Sequence, residues 1–377
     1  MTVTVRSFAK VNLGLRIGAA RVDGFHELLT VYQTIGLHDV IRISVGRGSG
    51  IEIRCEDPRV PRDETNTCHR IVVRAMEALR AKGRVVIEIE KRLPVQGGLG
   101  GASANAVATL LGLERALKER LSALERLRIA AEVGSDLPLF LVGGTVLGVG
   151  RGEQVYPLAD FPAMDCVVLT PEIGVSTPQA FAEWDRRVAR GLKQGSFQGS
   201  DAALKGRSPT IDRESDSEIP GSRKSGETLR QAQGRLRGTP SPGDEKLTVS
   251  ASSDRMNELG CGLSAWLSEL HSGAPSDVKR RGRAENPLLW LVRAGIENDF
   301  EQVVFPEYPK LLEGKRALER AGAKYASLSG SGSTLYGLYE SRAAAGRAVQ
   351  MLRKQGWAAQ ATVTLPRRVY WRRVIAG

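Results

Sequence analysis

A glycine-rich stretch at residues 94–106 constrains the fold more than any other part of the sequence. It reads Pro-Val-Gln-Gly-Gly-Leu-Gly-Gly-Ala-Ser-Ala-Asn-Ala. Residues 85–90 alternate between apolar and polar side chains as a strand does, and residues 107–111 form a largely apolar run. The pattern predicts a strand, a glycine loop and a helix, an arrangement that presents backbone N–H groups to a phosphate.

Two familiar phosphate-binding loops fit this stretch poorly. A P-loop needs a lysine after its last glycine, but Ala102 follows Gly101. A dinucleotide-binding loop that began at Gly98 would meet Ser103 at its third small position. A tight turn without any ligand therefore stays open as an alternative to a phosphate site of another kind.

Composition limits the class of protein. The chain has 377 residues, enough for two domains, and 41% of them are hydrophobic. It has no apolar run of roughly 18 residues, and its first ten residues lack a signal-peptide core, so we expect a cytoplasmic protein that binds no membrane. A net charge of +12 suits anionic nucleotides, and without an RNA-binding aromatic signature we expect no nucleic-acid partner.

Cysteine and histidine are scattered. Neither a disulfide framework nor a protein metal site is expected, because no C-x-x-C pair or His spacing typical of metal ligands occurs. Residues 187–284 are rich in Gly, Ser, Arg, Lys and Pro, which predicts a largely disordered insert containing one potential helix at residues 256–270. The expected domains are residues 1–160 and 163–377, the second interrupted by this insert.

Several side chains outside the glycine stretch are candidates for chemistry, and each has a plainer interpretation. Lys10 lies on a predicted strand, where a lysine is usually solvated. Phe25 and His26 follow a turn, where they can hold a planar base or form an ordinary hairpin tip. Asp136 precedes an apolar run. It can be an acid that is paired with a partner there, or an ordinary turn residue. Phe181 lies on a predicted helix, where core packing is the common role.

Together, three motifs in this order resemble the GHMP kinase superfamily. They are Ala-Lys-Val-Asn-Leu at residues 9–13, the glycine stretch, and Ser-Gly-Ser-Gly at residues 329–332. Three further segments are similar to signatures of the 4-diphosphocytidyl-2-C-methyl-D-erythritol kinase family, at residues 21–28, 134–140 and 298–301. The resemblance covers about residues 1–186 and 285–377.

The resemblance implies an α+β, two-domain GHMP kinase fold. Its N-terminal ATP-binding domain would be ribosomal protein S5 domain 2-like, and its C-terminal α+β domain would carry the long low-complexity insert. It also implies transfer of the γ-phosphate of ATP, with Mg²⁺, to the 2-hydroxyl of 4-diphosphocytidyl-2-C-methyl-D-erythritol in the non-mevalonate (MEP) pathway of isoprenoid synthesis, by a monomer or homodimer. Another GHMP kinase, of mevalonate or homoserine type, and a non-catalytic nucleotide-binding protein stay open as alternatives.

The resemblance also implies roles for individual residues. Asp136 would be the catalytic base and Lys10 its electrostatic partner, and Ser103 would contact a phosphate or Mg²⁺. The residues expected to bind ATP are Pro94, Val95, Gln96, Gly97, Gly98, Leu99, Gly100, Gly101, Ala102, Ser103 and Ala104. Asn66 and Asn105 would line the nucleotide site. The residues expected to bind the substrate are Asn12, Phe25, His26 and Phe181, of which the two Phe rings would sandwich the cytosine and His26 would contact its polar edge.

Overall fold

The computed structural model describes residues 2–95, 97–195 and 297–375. Numbered over these residues, the strands are β1 (Thr2–Ala20), β2 (His26–Gly46), β3 (Ile51–Cys55), β4 (Arg84–Glu90), β5 (Thr145–Val149), β6 (Gln154–Pro157), β7 (Asp165–Leu169), β8 (Tyr325–Leu328), β9 (Leu335–Tyr339) and β10 (Ala359–Val363). The helices are α1 (Thr67–Ala78), α2 (Gly101–Leu117), α3 (Ala123–Val133), α4 (Leu137–Val142), α5 (Thr177–Gly195), α6 (Glu301–Glu307), α7 (Pro309–Arg320), α8 (Arg342–Lys354) and α9 (Arg367–Val374). This mixture of two sheets and packed helices confirms the predicted α+β class.

The first sheet is organised by the long antiparallel pair of β1 and β2. Its strand order is β3-β4-β2-β5-β6, with β1 paired to β2. The register between β1 and β2 shifts between Phe8 and Lys10 and again between Asn12 and Gly14. Such irregularities turn side chains away from the regular alternation of a strand. They bracket Lys10 and Asn12, two polar residues to which the family resemblance gives roles in the reaction.

Strand β1 contributes to three hydrophobic clusters, which explains its almost continuous burial. Val5 packs in the cluster that contains α2, and Val11 packs with residues of β7 and β9. Leu15 joins the cluster of the second sheet and its helices. That sheet is antiparallel in the order β10-β7-β9-β8. One strand therefore links both sheets, and burial on both faces stabilises it by the hydrophobic effect.

The segment that begins at Glu297 is anchored to β1. The N–H of Leu15 donates to the carbonyl of Glu297 at 3.0 Å, and the N–H of Asp299 donates to the carbonyl of Leu15 at 2.9 Å. The Asp299 carboxylate, 1% exposed, accepts from the guanidinium of Arg16 and the N–H of Ile17, both at 2.9 Å. A motif that the sequence offers only as a family signature is thus a clamp on β1.

The amide of Asn298 extends this clamp to the second glycine loop, residues 329–334. It donates to the carbonyls of Leu328 and Gly330 at 2.9 and 2.8 Å. The loop's position therefore follows that of β1, since both are fixed to consecutive residues of one short segment.

The structure corrects three expectations. The pattern of residues 51–54 predicts a further strand of an antiparallel sheet, but β3 pairs parallel with β4. Helix α5 continues past residue 187, the expected start of the insert, to Gly195. The pattern of residues 359–365 predicts a last strand, but helix α9 follows that strand, and the ring centroid of its Tyr370 lies 5.8 Å from that of Phe8 in β1. Residues 196–284 and the potential helix at 256–270 lie outside the described residues.

Replacing Asp299 with Asn should destabilise the protein. The substitution leaves the partly buried Arg16 guanidinium without this charge partner and weakens the bond to Ile17, a loss of roughly 3 kcal/mol in the free energy of unfolding. Urea unfolding of the full chain measures it. Glu125→Gln, which alters an exposed ion pair with Arg128 on α3, is the control and should leave the midpoint unchanged. Equal midpoints for the two variants would contradict the clamp.

Candidate active site

Lys10 and Asp136 meet although 126 positions separate them in the sequence. Lys10 Nζ lies 3.6 Å from Asp136 Oδ2 and donates to Asn12 Oδ1 at 2.7 Å. The Lys10 side chain is 4% exposed and that of Asp136 is 34% exposed. Asp136 occupies the N-cap position of α4 but makes no capping bond with its side chain. Its carboxylate therefore faces Lys10 and an opening to solvent.

Burial is the main influence on the charge of Lys10. Desolvation lowers the pKa of Lys10 from 10.5, whereas the charge of Asp136 and a hydrogen bond to it act in the opposite direction. Asn12 is itself held by a bond from Nδ2 to Thr30 Oγ1 at 2.8 Å. The ammonium thus has a fixed acceptor on one side and a carboxylate on the other.

Tyr32 is a third member of this cluster, and sequence reasoning missed it. Its hydroxyl donates to Asp136 Oδ1 at 3.1 Å, and its ring centroid lies 5.5 Å from Lys10 Nζ. Burial, followed by the charge of Asp136, raises its pKa well above 10.0, so Tyr32 is a neutral donor. The only signal is its position opposite Asn12 in the β1–β2 pair, which the sequence alone does not disclose.

The glycine loop, residues 97–101, packs directly against this cluster. The N–H of Lys10 donates to the carbonyl of Leu99 at 3.0 Å. Gly100 has φ +68°, and a Cβ there would lie 3.1 Å from Cγ of Lys10. Gly98 has φ +76°, and a Cβ there would lie 2.2 Å from the carbonyl oxygen of Ser329. Glycine is required at both positions because the backbone is left-handed and its neighbours are close.

The start of α2 offers unpaired donors to the same space. Gly100 is its N-cap and contributes no side-chain bond, so the first N–H groups lack a capping side chain. Ala104 differs from the other predicted ATP contacts. Its side chain packs in the core and its N–H donates to the Gly100 carbonyl at 2.8 Å, so neither is available to the cleft. Gln96 lies outside the described residues.

One cleft of about 560 Å³ contains most of the predicted site. Predicted residues along its wall are Lys10, Asn12, Phe25, His26, Asn66, Pro94, Val95, Gly97, Gly98, Leu99, Gly100, Gly101, Ala102, Ser103, Asn105, Asp136 and Phe181. The Asn66 side chain already accepts from Cys68 N–H at 2.8 Å and donates to the Pro61 carbonyl at 2.6 Å, because it caps α1. Lys10, Asp136, the glycine loop and the aromatic residues therefore line the same cleft.

The aromatic end differs from a simple pair of phenylalanines. The rings of His26 and Phe181 are stacked at 4.8 Å with an interplanar angle of 10°. Phe25 is 51% exposed, and the Arg151 guanidinium lies 4.9 Å from its ring centroid. His26 Nε2 lies 2.7 Å from Asp185 Oδ1 of α5. The predicted Phe25–Phe181 sandwich stays a prediction, since the ring parallel to Phe181 here is the imidazole.

The donor groups fit a magnesium ion carried mainly by a nucleotide. The described residues contain no group of three or more His, Cys, Asp or Glu side chains placed to hold a metal. Mg²⁺ commonly takes one or two carboxylates and completes its shell with phosphate oxygens and water. The partly exposed Asp136 carboxylate and the Ser103 hydroxyl line the cleft and suit such an ion.

Across residues 2–95, 97–195 and 297–375, no helix is long and apolar enough to cross a membrane.

Comparisons with known proteins identify relatives of this chain. Residues 70–144 match the GHMP kinases N terminal domain and residues 285–357 match the GHMP kinases C terminal family. A 4-diphosphocytidyl-2-C-methyl-D-erythritol kinase of Solibacter usitatus (strain Ellin6076) is 33% identical, over 99% of this chain and 92% of the relative. One of Acaryochloris marina (strain MBIC 11017) is 30% identical, over 91% of this chain and 88% of the relative.

Solved structures share the fold. A crystal structure of 4-(cytidine 5'-diphospho)-2C-methyl-D-erythritol kinase has a TM-score of 0.61 at 24% identity, over 96% of this chain and 98% of the other. Homoserine kinase from Cytophaga hutchinsonii ATCC 33406 has a TM-score of 0.62 at 18% identity, over 97% and 95%. At these identities the likeness shows the fold alone, and the curated relatives carry the closer assignment.

Replacing Gly98 with Ala should weaken ATP binding about tenfold or more, because the positive φ and the Ser329 carbonyl force the two glycine loops apart. Calorimetric titration with ATP measures the loss. Gly174→Ala is the matched control, since a Cβ added at Gly174 would have no atom within 4 Å and the φ of Gly174 is not positive. Equal ATP affinity in the two variants would contradict the described packing of the loops.

Proposed function

Because the chain belongs to the family of 4-diphosphocytidyl-2-C-methyl-D-erythritol kinases, we propose that it transfers the γ-phosphate of ATP to the 2-hydroxyl of 4-diphosphocytidyl-2-C-methyl-D-erythritol, a step of isoprenoid precursor synthesis. The observation that carries the proposal is the Lys10–Asp136 pair, which lines the same cleft as the glycine loop and three aromatic side chains. Phosphoryl transfer requires the phosphate donor and the acceptor to be bound next to each other, because the acceptor hydroxyl must lie in line with the γ-phosphate.

In the proposed ATP half, residues 94–103 surround the phosphates. Its support is the uncapped start of α2 and the left-handed glycines, which expose N–H groups without side-chain obstruction. Mg²⁺, when bound with ATP, neutralises charge on the phosphate oxygens. Ser103 is the side chain that we assign to that ion or to the phosphates beside it.

The proposed chemistry centres on Asp136. Its carboxylate accepts the proton of the 2-hydroxyl as that oxygen bonds to the γ-phosphorus, and the bond from the γ-phosphorus to the β–γ bridging oxygen breaks to release ADP. Lys10 stabilises the carboxylate and the charge that develops on the transferred group. Asn12 holds Lys10 and lies where it can contact the acceptor. Tyr32 donates to the other oxygen of Asp136 and thereby orients it.

The proposed cytidine end is formed by Phe25, His26 and Phe181. A pyrimidine needs a flat apolar surface and a polar edge contact, and an exposed phenyl ring beside an imidazole offers both. Insertion of the base between the two phenylalanines requires the His26–Phe181 stack to open. Binding energy gained with the base offsets the lost contact between the rings.

The remaining assignments belong to the same proposal. Residues 1–160 form the ATP-binding domain and residues 163–377 the second domain, supported by the separate strand orders of the two sheets. The protein acts in the cytoplasm on small molecules, without nucleic acid or membrane as partner, as a monomer or homodimer. The site as described is built from one chain, which is compatible with either state.

Asp136→Asn should lower kcat about a thousandfold, because the amide cannot accept the hydroxyl proton. ADP release in a coupled assay with ATP and the cytidylated polyol measures it. The KM for ATP should change by less than about threefold, since the glycine loop is intact. Glu340→Gln, at an exposed ion pair with Lys324, should retain the unmodified rate. Turnover with mevalonate or homoserine but not with the cytidylated polyol would contradict the substrate assignment.

The activity should decline in alkaline solution before pH 10.5. Since burial lowers the pKa of Lys10, the ammonium is lost at a lower pH than from a free lysine, and kcat/KM falls with it. A pH profile of kcat/KM measures the decline. Lys10→Arg keeps the charge, so its lower activity should persist to higher pH. A wild-type profile that is level through pH 10.5 would contradict the role of the ammonium.

A further inference from the structure

Asp39, near the middle of β2, is a fully buried carboxylate that the proposed reaction does not use. It accepts four hydrogen bonds, from Lys91 Nζ, the N–H groups of Arg92 and Leu93, and Asn105 Nδ2, at 2.7, 2.7, 2.7 and 3.0 Å. The first three donors lie on the segment that enters the glycine loop, and the fourth lies on α2 just after it. One acid therefore ties both sides of the loop together.

The carboxylate also fixes the orientation of the Asn105 amide. An ionised carboxylate only accepts hydrogen bonds, so the amide must turn its NH₂ group toward Asp39. The other end, Asn105 Oδ1, is buried and has no hydrogen-bond partner in the part of the chain that the structure describes. Asn105 is 4% exposed and lines the cleft. Buried acceptors are normally paired, so this oxygen points to a donor supplied by a ligand.

The position of this oxygen selects which part of the ligand supplies the donor. Asn105 lies beyond Ser103 on α2, and Lys91, held by Asp39, lines the same cleft. The N–H groups at the start of α2 face the phosphates in the proposed function, so a residue further along the helix lies beside the rest of the nucleotide. Triphosphate oxygens are acceptors and cannot satisfy Oδ1, whereas a ribose hydroxyl or an amino group on the base can. Of these two kinds of donor, only the amino group differs between ATP and GTP.

We propose that Asp39 is a positioning residue for the phosphate-donor nucleotide, which holds the Asn105 amide with its oxygen facing the base and so favours a base that carries an amino group there. The inference rests on the proposed use of ATP. A carbonyl in place of that amino group, as in guanine, would place two acceptors face to face and leave both unpaired. Discrimination thus comes from a carboxylate that itself does not touch the ligand.

The test compares Kd values for ATP and GTP by calorimetry on the full chain. In Asp39→Asn, the new amide presents its own NH₂ group to Asn105, and this clash is relieved when the Asn105 amide turns over. The preference for ATP over GTP should therefore fall about tenfold, the effect of losing one hydrogen bond. Asn105→Ala removes the acceptor and should reduce the preference by a similar factor, with no further loss in the double variant.

Glu114→Gln is the matched control, because Glu114 is likewise a buried carboxylate and lies on α2, the helix that carries Asn105. Glu114 is 3% exposed, accepts from the N–H of Leu121 and from Arg126, and does not line the cleft. Its substitution should lower the melting temperature without changing the ATP-to-GTP ratio. A lower melting temperature with an unchanged ATP-to-GTP ratio in this control would show that destabilisation alone does not change the nucleotide preference.

An unchanged ATP-to-GTP ratio in Asp39→Asn would overturn the inference, even if the variant is less stable. Should that variant not fold, an unchanged ratio in Asn105→Ala overturns it equally. Turnover of the cytidylated polyol by the unmodified protein is measured separately. Loss of discrimination together with absent turnover would support the positioning role while contradicting the proposed reaction.

Discussion

The hydrogen bond from the Lys10 N–H to the Leu99 carbonyl is the contact on which the rest of the site depends. It joins β1, the strand shared by both sheets, to the glycine loop that precedes α2. The second glycine loop reaches the same place from the other side, where the position of a Cβ at Gly330 is 3.5 Å from Asn12 Oδ1. Two loops far apart in sequence thus converge on one stretch of strand.

This convergence explains how an ammonium group is tolerated at 3% exposure. A buried charge is costly unless partners replace its hydration, and here Asn12 and Asp136 replace part of it. The same partners serve the proposed reaction, because they fix the cation beside a carboxylate that is still open to the cleft. The contacts that compensate the burial of the Lys10 ammonium are therefore the same contacts that the proposed reaction uses.

Elements that depend only on a short local pattern of residues were predictable from the sequence. The glycine loop and α2 follow from composition and spacing over a few positions. Lys10 and Asp136 acquired roles only through a family resemblance, since each alone reads as an ordinary strand or turn residue. The structure supplies what that resemblance leaves to expectation, a distance of 3.6 Å between their charged atoms.

Residues that depend on strand register or long-range packing were not predictable. Tyr32 reads as a strand aromatic, and Asp39 as a polar residue of β2, until pairing and loop closure bring their partners to them. Strand β3 is too short for its pattern to distinguish parallel from antiparallel pairing. Helix α9 escaped prediction because its sequence is dominated by arginine, and its position depends on the docking of Tyr370 against Phe8.

In the proposed function, one cleft holds both substrates, with Lys10 and Asp136 where the two substrates meet. A crystal structure with a non-hydrolysable ATP analogue and the cytidylated polyol would show this arrangement. We expect the 2-hydroxyl oxygen within about 3.2 Å of an Asp136 oxygen and in line with the γ-phosphate. A polyol whose 2-hydroxyl lies away from both groups, with the analogue bound outside the glycine loop, would contradict it.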